Sequence, residues 1–236
     1  MENYKIPGYD ADTLDYTLSR SKRKTIAICI SDGKIDVRAP LRTPVYKIEE
    51  FIALKKPWIQ KHLKSSQNLV NKRNTFQLNY GDTIYFMDIP IKITGGDSRL
   101  GIFTENSLLI PSGLTPEQIK KECIKAYRTT APDCFIPRAM EFAKNMHVKP
   151  QSIKINGAKS RWGSCSANRN INFSWRLLMA DEDAIDYVIV HELTHLKEMN
   201  HSPRFWKLIE DMMPDYRDRK KRLKELNTRL QSQDWD

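Results

Sequence analysis

Apolar and polar residues alternate over residues 25–30 and again over 34–38, with Asp32-Gly33 between them. Period-two alternation marks half-buried strands, and Asp-Gly is a tight hairpin turn, so this segment is predicted to be a β-hairpin. Thr43-Pro44 then opens a helix carrying Val45, Phe51 and Leu54 and reaching Leu63, with Pro57 as an interruption. Residues 65–74 are polar and read as a loop. Residues 76–94 supply further strand around a Tyr80-Gly81-Asp82 turn. Gly95-Gly96-Asp97 is a second turn, and residues 100–110 form another hairpin.

Thr115-Pro116-Glu117-Gln118 is a helix start. Thr115 can cap, Pro116 suits the first helical position, and Gln118 can complete a capping box. The helix is expected to run to about Met146 and to be kinked or divided at Pro132 and Pro137. In residues 152–175, Ile153 and Ile155 alternate with polar residues, as do Ile171, Phe173 and Trp175. That pattern predicts an antiparallel hairpin with one buried face. Next, Ile185, Ile189, Leu193 and Leu196 recur at spacings of four, four and three, the stripe of a core-facing helix. Asp181 or Asp183 can cap it, and the acids Asp181, Glu182 and Asp183 suit its positive end.

On that helix lies His191-Glu192-Leu193-Thr194-His195, an H-E-x-x-H pattern. Residues four apart share one helical face, so both imidazoles can reach one metal ion, and the adjacent glutamate can address a water there. A third histidine, His201, follows six residues after His195. A continuous helix would carry it about 9 Å along the axis, out of reach. The chain must bend, and Asn200 tolerates the left-handed conformation that ends a helix, while Ser202-Pro203 starts a new one. Three neutral imidazoles with one open position suit catalytic zinc, one ion per chain. Zinc acidifies its water, and Glu192 would take the proton.

Composition adds limits. The 236 residues are 40% hydrophobic and 29% charged, enough for a substantial core. A boundary is expected near residues 111–115, giving an N-terminal mixed α/β unit (1–114) and a core (115–236), or one continuous domain over about 20–230. No internal repeat is visible. No signal peptide or membrane-length apolar run is present, and the four cysteines form no CxxC pair, which together read as a cytoplasmic chain with reduced thiols. The net charge of +10, clustered at residues 20–24, 55–64 and 217–224, would favour acidic partners, nucleic acid included, or simply be a solvated surface. No zinc finger, helix-turn-helix or RNA-binding signature accompanies it.

Two blocks carry a resemblance. One is Ser160-Arg161-Trp162-Gly163-Ser164-Cys165 with Ile171-Asn172-Phe173-Ser174-Trp175-Arg176-Leu177. The other is Tyr187-Val188-Ile189-Val190-His191-Glu192-Leu193-Thr194-His195, running on to Asn200-His201-Ser202-Pro203-Arg204-Phe205-Trp206. In order and spacing they resemble the YgjP-like metallopeptidases of the zincin group. The resemblance implies zinc on His191, His195 and His201, Glu192 as catalytic residue, and a cytoplasmic bacterial or archaeal setting. It implies an α+β fold with a zincin-like core, a β-hairpin or sheet beside the H-E-x-x-H helix. The substrate stays open between a peptide or protein and a nucleotide, since a UTP pyrophosphatase activity is attributed to relatives. A third reading is a nucleic-acid-associated protein with a non-catalytic metal site; SprT-type proteases, which act on DNA-bound proteins, offer an analogy. The third-ligand spacing equals that of metzincins, but Glu198 stands where they have glycine. Arg161 and Arg176 are candidate substrate-binding residues, each with a structural salt bridge as its alternative. Gly163 suits a bulge or close approach, and Trp162, Trp175 and Tyr187 suit packing. Phe205, Trp206, Ile209 and Met213 are expected to pack the next helix over the site. Residues 215–230 read as a basic, solvent-facing helix, and 231–236 as frayed.

Overall fold

The structure, a computed structural model, describes residues 2–6 (backbone only) and 14–236. The chain forms two compact units. One takes the described residues up to Phe76 together with Gln231–Asp234; the other is Gln77–Leu230 with Trp235–Asp236.

The first unit is a four-stranded sheet with two helices. Its strands are β1 (Glu2–Ile6), β2 (Leu14–Ser21), β3 (Ala27–Ser31) and β4 (Lys34–Pro40), in the order β1-β2-β4-β3. The expected hairpin is β3–β4, and Asp32 and Gly33 both take positive φ (50° and 71°), as its two-residue turn requires. Tyr16, Leu18, Ile35, Val37 and Ala39 form a core with Ile48 and Ile52 of α1 (Val45–Leu54) and Ile59 of α2 (Lys56–Asn74). The expected interruption is present: α1 ends at Leu54, α2 begins at Lys56, and Pro57 follows the break. Pro57 occupies the first turn of α2, where a missing N–H costs nothing. Residues 65–74, expected as a loop, are the second half of α2. They are tied to the hairpin turn, because Ser66 Oγ accepts from Gly33 N (2.9 Å) and Arg73 donates to Asp32 (2.5 Å).

In the second unit, β5 (Thr83–Phe86), β6 (Ile89–Gly96), β7 (Ile102–Phe103) and β8 (Ser107–Pro111) have the order β5-β6-β8-β7. Each four-stranded sheet has an antiparallel pair at either side and a parallel pair in the middle, and each leads through Thr-Pro into a helix. This is a repeat of topology that the sequence pattern does not display. Gly95 and Gly96 lie inside β6, not in a turn; a Cβ on Gly96 would come within 2.7 Å of Leu109. The boundary anticipated at 114/115 falls inside this unit, where β8 packs with α3 (Pro116–Asn145). The capping box is formed: Gln118 N donates to Thr115 Oγ1 (3.4 Å) and Thr115 N to Gln118 Oε1 (2.8 Å). Neither Pro132 nor Pro137 divides α3. Burial of Ala131, Phe135 and Ala139 on the same helix offsets the lost backbone bonds.

A second sheet in this unit has the order β10-β11-β9, from β9 (Ser152–Asn156), β10 (Gly163–Cys165) and β11 (Asn170–Ser174). The hairpin expected between 153–155 and 171–175 is instead a parallel pair, Ile153 beside Ile171 and Ile155 beside Phe173. The chain reverses twice because β10 intervenes, and β10 makes the antiparallel partner of β11. A buried 3-10 turn, Trp175–Met179, leads to α4 (Glu182–Thr194), α5 (Pro203–Met212) and α6 (Tyr216–Leu230). Asp181 caps α4 by accepting from Ala184 N (3.0 Å). One side of α6 is not solvent-facing: Tyr216, Leu223 and Leu226 are buried, while Arg219 and Arg222 pair with Asp183 and Asp181 at the start of α4. Trp235, expected to fray, is buried at 5% exposure. The fold is α+β, with β10 of its three-stranded sheet against the H-E-x-x-H helix. Among the described residues no helix is long and apolar enough to cross a membrane.

Candidate metal centre

His191 lies in the last turn of α4, and His195 is its C-cap. The chain then turns tightly, with Leu196 N bonded to Leu193 O (3.0 Å) and Lys197 N to Thr194 O (2.9 Å). Asn200 does not take the left-handed conformation expected of it. The reversal is completed by the Ser202 cap, whose Oγ accepts from Phe205 N (3.3 Å) at the start of α5. This corner returns His201 to the other two histidines. One ring nitrogen from each lies within 4.8 Å of the others, and the Nε2 atoms of His191 and His201 are 3.0 Å apart. Phe205, fully buried, packs against all three imidazoles, with centroids 4.7–5.0 Å away.

Protonation follows from the surroundings. Burial, then the charges of His195, His201 and Lys220, push His191 down to about 3. Burial also lowers His195. Both rings are therefore neutral near pH 7, the form that ligates a metal. His195 Nδ1 faces Glu198 O at 3.2 Å; a carbonyl only accepts, so Nδ1 carries the hydrogen and Nε2 keeps its lone pair. Three converging ring nitrogens are a donor set that fits a zinc-type ion.

Glu192 is 6% exposed, and burial pushes its carboxyl up to about 7, against the opposing charge of Arg161. The backbone of β10 lies directly against it. A Cβ on Gly163 would sit 2.6 Å from Glu192 Cγ and 2.7 Å from Oε1, which is the close approach this glycine permits. Arg161 is exposed, in the segment entering β10. Arg176 is differently placed. It is buried, stacks on Trp175, and donates to Gly157 O (2.7 Å), Trp235 O (2.9 Å) and Asp236 (2.9 Å), so its guanidinium is committed to holding the chain.

Trp206 and Tyr187 pack at the site as their positions suggested; the part that Tyr216 of α6 plays had no signal in the sequence. Trp206 stacks over His201 (5.7 Å) and Tyr216 stacks on Trp206 (5.7 Å), so α6 supports the third histidine. Tyr187, 5.8 Å from His191 and stacked on Tyr216, is buried with its hydroxyl pushed up to about 12. The thiol of Cys165, half-buried on β10, is raised by burial and by the charge of Glu192.

The sequence model for the YgjP-like metallopeptidase domain matches residues 24–226. The chain belongs to the YgjP-like metallopeptidase family. At the level of the family, it is a metal-associated peptide hydrolase. Among solved structures it is similar to the metallopeptidase zymogen of Pyrococcus abyssi abylysin, with 23% identity and a TM-score of 0.37 over 42% of this chain and 98% of that one. It is also similar to the metallopeptidase zymogen of Methanocaldococcus jannaschii jannalysin, with 20% identity and a TM-score of 0.33 over 41% of this chain and 92% of that one. No curated protein matches the sequence.

Proposed function

We propose that this YgjP-like chain is a zinc-dependent peptidase in which His191, His195 and His201 hold one ion and Glu192 is the general base. The observation that carries the reading is the convergence of three imidazole nitrogens within 4.8 Å beside a buried carboxylate. Zinc bound there supplies a Lewis acid that polarises a scissile carbonyl and acidifies water. Glu192, with its pKa lifted to about 7, holds a proton readily near neutral pH. It takes one from the attacking water and delivers it to the leaving amine. Burial keeps bulk water from competing for that proton.

The substrate class rests on family membership and on β10, which is the edge strand of its sheet, next to α4. An extended peptide can pair with the outer side of β10 and so lie along the Glu192 face. Arg161, exposed and close enough to act on Glu192 by its charge, would contact a substrate carbonyl or carboxylate.

The test compares wild type with Glu192→Gln, each loaded with one zinc per chain and offered unfolded protein, peptides and UTP in parallel. Peptide cleavage by wild type, lost at least about 100-fold in a variant that keeps its zinc, is the expected result. Cleavage of UTP alone would replace peptide by nucleotide. Failure of either protein to hold stoichiometric metal would remove the three-histidine site.

A further inference from the structure

Trp235 and Asp236, the last residues of the sequence, are seated in the second unit against residues the metal centre does not use. The Trp235 ring meets Tyr127 edge-on at 5.9 Å and Trp175 at 6.3 Å, both fully buried. Arg176 donates to the Trp235 carbonyl and the Asp236 carboxylate, each at 2.9 Å, and Lys159 forms an ion pair with the same carboxylate. The seat has the chemistry of a receptor for an aromatic–acidic dipeptide: an aromatic box for the first side chain, and two cations for the second.

The same groups grip the segment that joins β9 to β10. Arg176 also donates to Gly157 O (2.7 Å), and Ser174 Oγ donates to Ala158 O (2.8 Å). A Cβ on Gly157 would meet Arg128 at 3.2 Å and Trp175 at 3.4 Å, so the segment is held closely at this end. Two residues beyond Lys159 comes Arg161, which faces the charge of Glu192. Two residues further, Gly163 lies against the Glu192 side chain.

We propose that the second unit carries a binding seat for an aromatic–acidic dipeptide, filled by the chain's own Trp235–Asp236. The filled seat positions residues 157–162, and with them Arg161 and β10, at Glu192. Trp235, Asp236, Lys159 and Arg176 are positioning residues, not catalytic ones. The consequence for hydrolysis rests on the peptidase reading above; the seat and its effect on the segment do not.

The experiment measures amide hydrogen exchange over residues 157–163 in the full chain, in Asp236→Ala, and in a chain truncated after Asp234. The truncated chain is also measured with a synthetic peptide of sequence 231–236, or with the same peptide carrying Trp235→Ala. Loss of charge-assisted bonds should speed local opening about ten- to a hundredfold in Asp236→Ala. In the truncated chain the native peptide, but not its variant, should restore protection. Unchanged exchange in Asp236→Ala overturns the proposal, and that variant decides it even if truncation prevents folding, since the Asp236 side chain is 44% exposed. Equal effects of the two peptides overturn the seat. In the same samples, zinc content stays at one per chain, and any peptide hydrolysis by Asp236→Ala shows a raised KM with kcat less affected. Absence of hydrolysis in wild type bears on the peptidase reading alone, because the exchange arm is read without substrate.

Discussion

Gly163→Ala places one methyl group where the structure has no room for it. The new Cβ would lie 2.6 Å from Glu192 Cγ, 2.7 Å from Oε1 and 2.9 Å from Cδ. Carbon atoms at their optimum stand about 3.5–4.0 Å apart, so the shortfall is about 1 Å. Nor is it the far end of a side chain that must yield: Cγ and Cδ are both involved, so Glu192 has to change rotamer or β10 has to move off α4. Gly163 does not take a positive φ, so alanine meets no left-handed backbone penalty there. Overpacking of this kind costs about 1–3 kcal/mol, or about 2–12 °C in melting temperature for a chain of this length. A displacement of about 1 Å at a catalytic group costs about 100-fold in rate. The expected result is therefore a folded variant with one zinc per chain and kcat/KM for peptide cleavage down about 100-fold. Melting, metal content and hydrolysis are measured on the same preparation. Activity within twofold of wild type would refute the claim that the β10 backbone sets the position of Glu192. A variant that loses its zinc would show the methyl acting through the histidines instead.

Phe205→Ala removes the ring shared by the three imidazoles. Loss of a fully buried Phe is expected to cost about 3–5 kcal/mol and to weaken zinc binding, read by thermal melting and by competition with a chromogenic chelator. Arg138→Met breaks the pairs that join α3 to Asp186 and Glu182 on α4. Asp186 is only 15% exposed, so the loss should lie between the surface and buried values, about 1–3 kcal/mol by denaturant titration. Removing metal with a chelator should leave the buried part of α4 protected from hydrogen exchange while residues 196–201 exchange faster, because His191 lies within α4 and His195 caps it, whereas His201 stands in the turn beyond.

What was legible in the sequence is what local chemistry decides. The Asp181 and Ser202 caps, the Thr115–Gln118 capping box, the Asp32-Gly33 turn and the H-E-x-x-H face each involve residues within a few positions of one another, and the structure contains all of them. What was not legible depends on distant partners. Residues 65–74 lack a helical apolar stripe, and their helix is held by a hairpin turn 33 and 41 residues away through Ser66 and Arg73. The pairing of Ile153 with Ile171 looks the same in sequence whether the strands run parallel or antiparallel; direction is decided by the insertion of β10 between them. Trp235 reads as a loose tail until Tyr127 and Trp175, at least 60 positions away, are brought beside it.

The two arginines make the same point within the centre itself. Arg161 and Arg176 flank the same strands and offered equal grounds for a substrate contact. Arg176 lies in the 3-10 turn, all five of whose residues are buried, so its charge had to be matched inside the protein, and Gly157, Trp235 and Asp236 provide the acceptors. Arg161 lies in an exposed segment with no such demand, free to bring its charge to Glu192. One arginine is thus spent on fixing the segment from which the other acts. Such a division of labour is set by burial, which a single sequence does not state, and it makes the placement of Arg161 depend on residues at the far end of the chain.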